Sequence, residues 1–270
     1  MGILVTRPGA GMKAAAREES AMDSTQRFST RVEAYVKYRP GYPAAMLDFL
    51  ARELAMGPEA QVADIGAGTG ILTALLAPRV ARVWAVEPND DMRAAAKRLL
   101  AQVGNIGWLH GSAEATGLPT GAMDLVTVAQ AFHWFDRAAF RQECQRLLKP
   151  GGQVALIWND RLTNTPFLKA YEEGLHAYSG DYEEVNHRNL GEADFRAFFT
   201  GEYRLDRFEN SQLFDLDGVL GRLNSSSYAP VAGTPAHDQM TALVRREFAR
   251  HAVDGKIAFN YCTLVYSGRV

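Results

Sequence analysis

The segment Val62-Ala63-Asp64-Ile65-Gly66-Ala67-Gly68-Thr69-Gly70 constrains the fold more than any other stretch of this chain. A short apolar strand runs at once into three glycines at alternate positions, and a helical pattern follows over residues 71–77. Glycine admits the backbone conformations of a tight turn and leaves room for a ligand to approach the main chain. A strand that turns into a helix this way is the first half of a βαβ unit. In open α/β sheets ligands collect at the carboxyl ends of strands, so the same segment marks a candidate binding site.

The rest of the chain repeats the rhythm. Residues 44–56 predict a helix, with Pro43 as its first residue and Met46, Leu47, Leu50 and Leu54 on one face, stopped by Gly57-Pro58. A second strand over 83–86 leads through Glu87-Pro88 into a helix with Asn89 as N-cap. Asp90 and Asp91 fall in its first turn and Arg93, Lys97 and Arg98 later, which complements the helix dipole. Further strands are predicted over 106–110 and 123–130, and Asp136 caps a helix over 138–148 that ends in Lys149-Pro150-Gly151-Gly152. Residues 153–158 are almost uniformly apolar, as in a parallel strand covered on both faces. Strands alternating with helices imply a parallel sheet with right-handed crossovers. Beyond residue 160 helices are predicted over 166–178, 192–199 and 236–251 and strands over 203–214 and 257–265, while 224–230 reads as a loop.

Composition narrows the function classes. The chain has 270 residues, 47% hydrophobic and 22% charged, the profile of a globular protein with a sizeable core. Lys+Arg 29 against Asp+Glu 31 gives a net charge of -2, so no global basic field invites nucleic acid or an anionic membrane. Cys144 and Cys262 have no CxxC or metal-ligand spacing, which argues against a disulfide scaffold or structural zinc and fits a cytoplasmic protein. Ile3-Leu4-Val5 is too short an apolar run for a signal peptide or a membrane span. Residues 1–6 match the loose N-myristoylation pattern MGxxx[ST]; chance, or a start placed too early with Met12 or Met22 as alternatives, explains them better. The expectation is a disordered tail over 1–22 and one domain over 23–270, with its core at 40–160 and a helical cap and terminal strands over 161–270.

The glycine spacing and one acid suggest the ligand. Glu87 ends the second strand, where a carboxylate can accept both ribose hydroxyls of an adenine nucleoside. The dinucleotide fingerprint is G-x-G-x-x-G, whereas here the third glycine is Gly70 and position 71 is Ile, so the spacing is G-x-G-x-G. Read alone, Asp64 could cap the glycine turn and Glu87 could be a solvated strand end.

With DIGAGTG at 64–70, VEP at 86–88, GSAE at 111–114, MDLVTVAQAFHW at 123–134 and LKPGGQVALIW at 148–158, the chain resembles the class I S-adenosylmethionine-dependent methyltransferases of the type 11 group. YVKYRPGYP at 35–43 and FHWFD at 132–136 are similar to the small-molecule branch that includes trans-aconitate methyltransferase-like enzymes. The resemblance implies a Rossmann-like α/β fold: a seven-stranded sheet with helices on both faces, its last strand antiparallel, and a small helical cap from the C-terminal region. It implies S-adenosylmethionine as cofactor and S-adenosylhomocysteine as product. Gly66, Gly68 and Gly70 would line the methionyl part, with Asp64 nearby, and Glu87 would hold the ribose. Pro88 or Met92 would pack on the adenine, and Ser112, Ala113 and Glu114 would sit by its amine. Gln130 would lie beside the sulfonium, and Tyr35 and Arg39 would close over the cofactor.

Displacement at a sulfonium needs alignment and exclusion of water, and a base only where the acceptor must lose a proton. His133, with a reference pKa of about 6.5, is the candidate base, or else part of the pocket wall. Phe132, Trp134, Phe135 and Trp158 would form an aromatic rim, with Arg161 and Tyr228 completing the acceptor pocket. The expected acceptor is a small molecule methylated at a carboxylate or hydroxyl oxygen. Carbon methylation of the quinone type, a cofactor-binding regulator without turnover, and a nicotinamide dehydrogenase are the alternatives. Nucleic-acid methylation is excluded, because Gln130-Ala131-Phe132-His133 replaces the Asn/Asp-Pro-Pro-aromatic tetrad and neither cysteine follows a proline.

Overall fold

The structure is a computed structural model and describes residues 36–180, 190–226 and 228–270. The expected tail and Tyr35 lie outside the described residues. In chain order the elements are α1 (Ala44–Glu53), β1 (Gln61–Ile65), α2 (Ile71–Leu76), β2 (Arg82–Val86), α3 (Asp90–Leu99), β3 (Ile106–Leu109), β4 (Met123–Ala129), α4 (Arg137–Leu147), β5 (Leu148–Arg161), α5 (Pro166–Tyr178), α6 (Glu192–Phe198), β6 (Arg204–Phe214), α7 (Leu216–Asn224), α8 (Pro235–His251) and β7 (Ile257–Gly268). The seven strands form one sheet in the order β3-β2-β1-β4-β5-β7-β6. The first five pair in parallel and β7 is antiparallel to both its neighbours, as the resemblance implies.

Side-chain alternation divides the core between the two faces of the sheet. Val62, Leu125, Ala155 and Ile157 face α1 and α2. Ala63, Val126, Leu156 and Trp158 face α4 and α6. Because both faces are covered, the central strands carry few polar residues, and each fully buried Leu, Ile or Val contributes roughly 1.5–3 kcal/mol.

A third cluster makes the cap. Phe167, Leu168 and Tyr171 of α5, Val219 and Leu223 of α7, and Met240 and Val244 of α8 pack on Ile257, Phe259 and Tyr261 of β7. In the β5–β7 register Arg161 lies opposite Tyr261, so residues 257–260 of β7 run on past the end of β5 with only β6 beside them. The cap therefore stands on an extension of the sheet beyond its carboxyl edge, where the candidate site lies.

Two elements differ from the sequence expectation. β5 begins at Leu148, paired with Met123, so Pro150-Gly151-Gly152 lie within the strand and do not break it. Helix α7 is unpredicted, because Gly218 and Gly221 weaken the helical pattern by about 1 kcal/mol each. Packing demands both. A Cβ on Gly221 would stand 2.2 Å from the Tyr38 ring, and one on Gly218 would stand 2.7 Å from Phe214. Asp215 caps the helix by accepting from the Gly218 N–H at 2.8 Å.

Candidate active site

The glycine loop is built by backbone conformation. Gly66, Gly68 and Gly70 have φ of +70°, +56° and +81°, which side chains of L-residues rarely adopt. Gly66 and Ala67 donate to the Val86 carbonyl at 2.9 and 3.1 Å, and Gly68 donates to Glu87 Oε2 at 2.8 Å. The other oxygen of Glu87 accepts from the Asn89 N–H at 2.8 Å. Burial pushes the Glu87 carboxyl up from its ordinary pKa, against the two N–H groups that favour the anion. Each carboxylate oxygen keeps a further lone pair for a hydroxyl donor.

Asp64 plays a different part from a turn cap. It is buried, with Oδ2 accepting from the Thr73 hydroxyl at 2.6 Å and Oδ1 from that of Thr127 at 3.1 Å. Burial raises its pKa to about 6 despite those two bonds. Asp64 thus ties β1 to α2 and β4 beneath the loop.

The site residues after β2 and β3 gather along the same edge. Met92 is buried at the start of α3, and its sulfur would lie 3.8 Å from a Cβ on Gly68. Pro88 is exposed, Ala113 is buried, and Ser112 and Glu114 are half-buried. Glu114 accepts from the Asp136 N–H at 2.9 Å, and Asp136 caps α4. Gln130 is a non-glycine residue at φ +60°, and its N–H donates to the Ile157 carbonyl at 2.9 Å. Such a conformation costs about 1–3 kcal/mol and is concentrated at functional sites.

Residues 132–134 form a single 3-10 turn directly after β4. This turn meets the glycine loop: a Cβ on Gly66 would stand 2.7 Å from Ala131 Cβ and 3.4 Å from the Phe135 ring. His133 and Trp134 are half-buried with ring centroids 4.8 Å apart. Phe132 and Trp158, expected on the rim, are core residues instead. Phe132 is wholly buried against Trp158, Phe140 and Phe198, because the turn directs it back onto the face that α4 and α6 cover.

Arg39 also departs from the expected position. Its guanidinium donates to the Ser225 carbonyl at 3.2 and 3.0 Å, beside the cap. The reason lies in the chain around it. The Gly41 carbonyl accepts from Asn159 at 3.0 Å and from Asn210 at 2.9 Å, which fastens this segment across β5 and β6. Arg161 closes β5 with a buried ion pair to Glu172, its guanidinium over the Tyr171 ring and donating to the Tyr228 hydroxyl at 3.3 Å. Arg161, Arg222 and Arg39 together pull the Tyr228 hydroxyl below its ordinary pKa, against the upward push of burial. Arg222 was not legible as a site residue, since it lies in the helix that the glycines disguised.

These features fit an adenosyl cofactor. A Cβ on Gly68 would meet nothing nearer than the Met92 sulfur at 3.8 Å, which leaves the main chain open to a ligand there, and buried Thr69 Oγ has no hydrogen-bond partner among the described residues. Among the described residues no group of His, Cys, Asp or Glu could hold a metal ion, and no helix is long and apolar enough to cross a membrane.

A methyltransferase-domain family model matches residues 63–156. A methyltransferase-like protein of Schizosaccharomyces pombe is 32% identical over 202 residues, 74% of this chain and 77% of its own length. This chain belongs to the S-adenosylmethionine-dependent methyltransferases. A methyltransferase of Mycobacterium tuberculosis is 39% identical over 142 residues, 53% of this chain, and the match spans about half of that relative, 56% of its length. A trans-aconitate 2-methyltransferase of Azoarcus is more distant, 33% identical over 127 residues, 46% of this chain and 48% of that protein. A solved type II methyltransferase structure from Anaeromyxobacter dehalogenans shares the fold with TM-score 0.66 at 22% identity, covering 86% of this chain and 98% of the other. Family membership sets aside the dinucleotide alternative.

Proposed function

We propose that this chain methylates an oxygen, carboxylate or hydroxyl, of a small organic acceptor. One observation carries the reading: the glycine loop after β1 is in contact with the turn after β4, so donor and acceptor segments share one edge of the sheet. When bound, S-adenosylmethionine supplies a methyl group on an already activated sulfonium. The chain's task is then placement. Main-chain groups of Gly66, Gly68 and Gly70 hold the methionyl end, Glu87 accepts from the ribose hydroxyls, and Pro88, Met92, Ser112, Ala113 and Glu114 frame the adenine. Gln130 lies at the junction with the acceptor space, and Trp134 walls it. His133 stands where it can take a proton from a hydroxyl acceptor; a carboxylate acceptor needs no base. The preference for oxygen rests on the likeness of segments 35–43 and 132–136 to the trans-aconitate-like branch and on the distant Azoarcus relative.

The test is S-adenosylhomocysteine release across a panel of carboxylic acids, phenols and quinones. Turnover with acids or phenols is expected, and turnover with quinones alone would replace oxygen by carbon as the accepting atom. Glu87→Ala and Gly68→Val should each lower donor affinity at least about tenfold, equivalent to about 1.4 kcal/mol. Unchanged affinity in both would remove the cofactor assignment. His133→Gln should slow hydroxyl acceptors near neutral pH and spare carboxylates.

A further inference from the structure

Arg222 is 3% exposed on α7, with no carboxylate within ion-pair distance among the described residues. Its Nε donates to the Tyr261 hydroxyl at 3.1 Å, and Nη1 donates to Ser226 Oγ at 2.7 Å and Ser225 Oγ at 3.4 Å. Nη2 has no hydrogen bond among the described residues. The nearby charge of Arg161 is matched by Glu172. A guanidinium buried among neutral hydroxyls is costly, by several kcal/mol, unless an anion joins it. A purely structural link between α7 and β7 needs hydrogen bonds and no net charge.

The place of this cation is informative. Arg161 lies four residues past Ile157, whose carbonyl receives the Gln130 N–H, so the cluster stands beyond the carboxyl end of β4 and at that of β5. That is the acceptor side of the glycine loop. The downward pull of Arg161, Arg222 and Arg39 on the Tyr228 hydroxyl is a second mark of a positive field there.

We infer that Arg222, with Tyr228 and Arg161 beside it, anchors a carboxylate of the acceptor that is distinct from the group being methylated. The inference rests on the methyl-transfer reading and narrows its substrate class. An oxygen held in a guanidinium fork has its lone pairs engaged and its charge dispersed, which makes it a poor nucleophile. The anchored group therefore orients the molecule while another atom reacts. Acceptors then carry at least two functional groups, one of them an acid.

Isothermal titration of the full chain loaded with S-adenosylhomocysteine tests this, with malonate, malonamide and inorganic phosphate as probes. Malonate should bind and malonamide should not. Arg222→Met should weaken malonate at least about tenfold while S-adenosylhomocysteine affinity stays at the wild-type value. Should Arg222→Met fail to fold, Arg222→Lys decides: it keeps the charge and loses the fork, so malonate should bind at least about threefold more weakly. The inference is overturned by no malonate binding to the loaded wild type, by equal affinity in the folded Met variant (or in Lys if Met is unfolded), or by phosphate binding more tightly than malonate. Failure of the wild type to bind S-adenosylhomocysteine would instead overturn the methyl-transfer reading.

Discussion

At the glycine loop, polar groups are satisfied by main chain a few residues away: Gly68 and Asn89 hold Glu87, and Val86 receives Gly66 and Ala67. In the cap, charged and hydroxyl groups from five segments meet: Arg39, Arg161, Glu172, Arg222 with Ser225, and Tyr261. The first arrangement is local and built largely on main-chain donors; the second is long-range and built largely on side chains. The difference predicts that damage to one region should leave the other standing.

Glu172→Gln should have the largest effect. It strips the buried Arg161 of its counter-charge, and breaking a buried pair costs about 3–5 kcal/mol. Urea unfolding should show that loss while S-adenosylhomocysteine still binds any folded fraction. A fall in donor affinity as large as the fall in stability would show that the two regions are one cooperative unit.

Gly66→Ala should act the other way. Its φ of +70° and the 2.7 Å approach of Ala131 together cost about 3 kcal/mol, and donor affinity should fall at least tenfold. Binding of malonate to the cap, followed by calorimetry without donor, should persist.

Asp64→Asn should stabilise the chain, in a pH-dependent way. Folding raises the pKa of Asp64 from 3.8 to about 6, so the folded state holds this proton more tightly than the unfolded state. The contribution is most favourable below the unfolded value, is lost as pH rises through about 6, and amounts to about 2–3 kcal/mol at roughly 1.36 kcal/mol per unit. Urea midpoints should therefore show the variant ahead at pH 8, with the gap closing near pH 4. Equal gaps at both values would mean that the Thr73 and Thr127 hydrogen bonds, and not the buried charge, set the energetics.

The smallest effect belongs to Gly221→Ala. The new methyl must displace the Tyr38 ring, at about 1–2 kcal/mol, read as a lower thermal midpoint. An unchanged midpoint would show that the 38–41 segment yields easily.

The glycine-loop region was legible because its signals are contiguous. Glycines at 66, 68 and 70, an acid at 87 and an N-cap at 89 act within one βαβ unit, where spacing along the chain is spacing in space. The acceptor half was legible only in part. Trp158 reads as a rim aromatic by position, yet strand alternation sends it into the core against Phe195 and Tyr266. Pro150-Gly151-Gly152 reads as a stop, yet pairing with β4 carries the strand through them.

By itself the sequence determined the parallel βαβ frame and the glycine turn at its carboxyl edge, because periodicity and glycine conformation are local properties. Only the tertiary structure decided that Gly221 belongs to a helix and that Arg39 reaches toward the cap. It alone placed Arg222 as a buried cation beside Tyr228. Those outcomes depend on contacts between residues far apart in the chain, such as Tyr38 against Gly221 and Arg222 against Tyr261, whose energies no local pattern encodes.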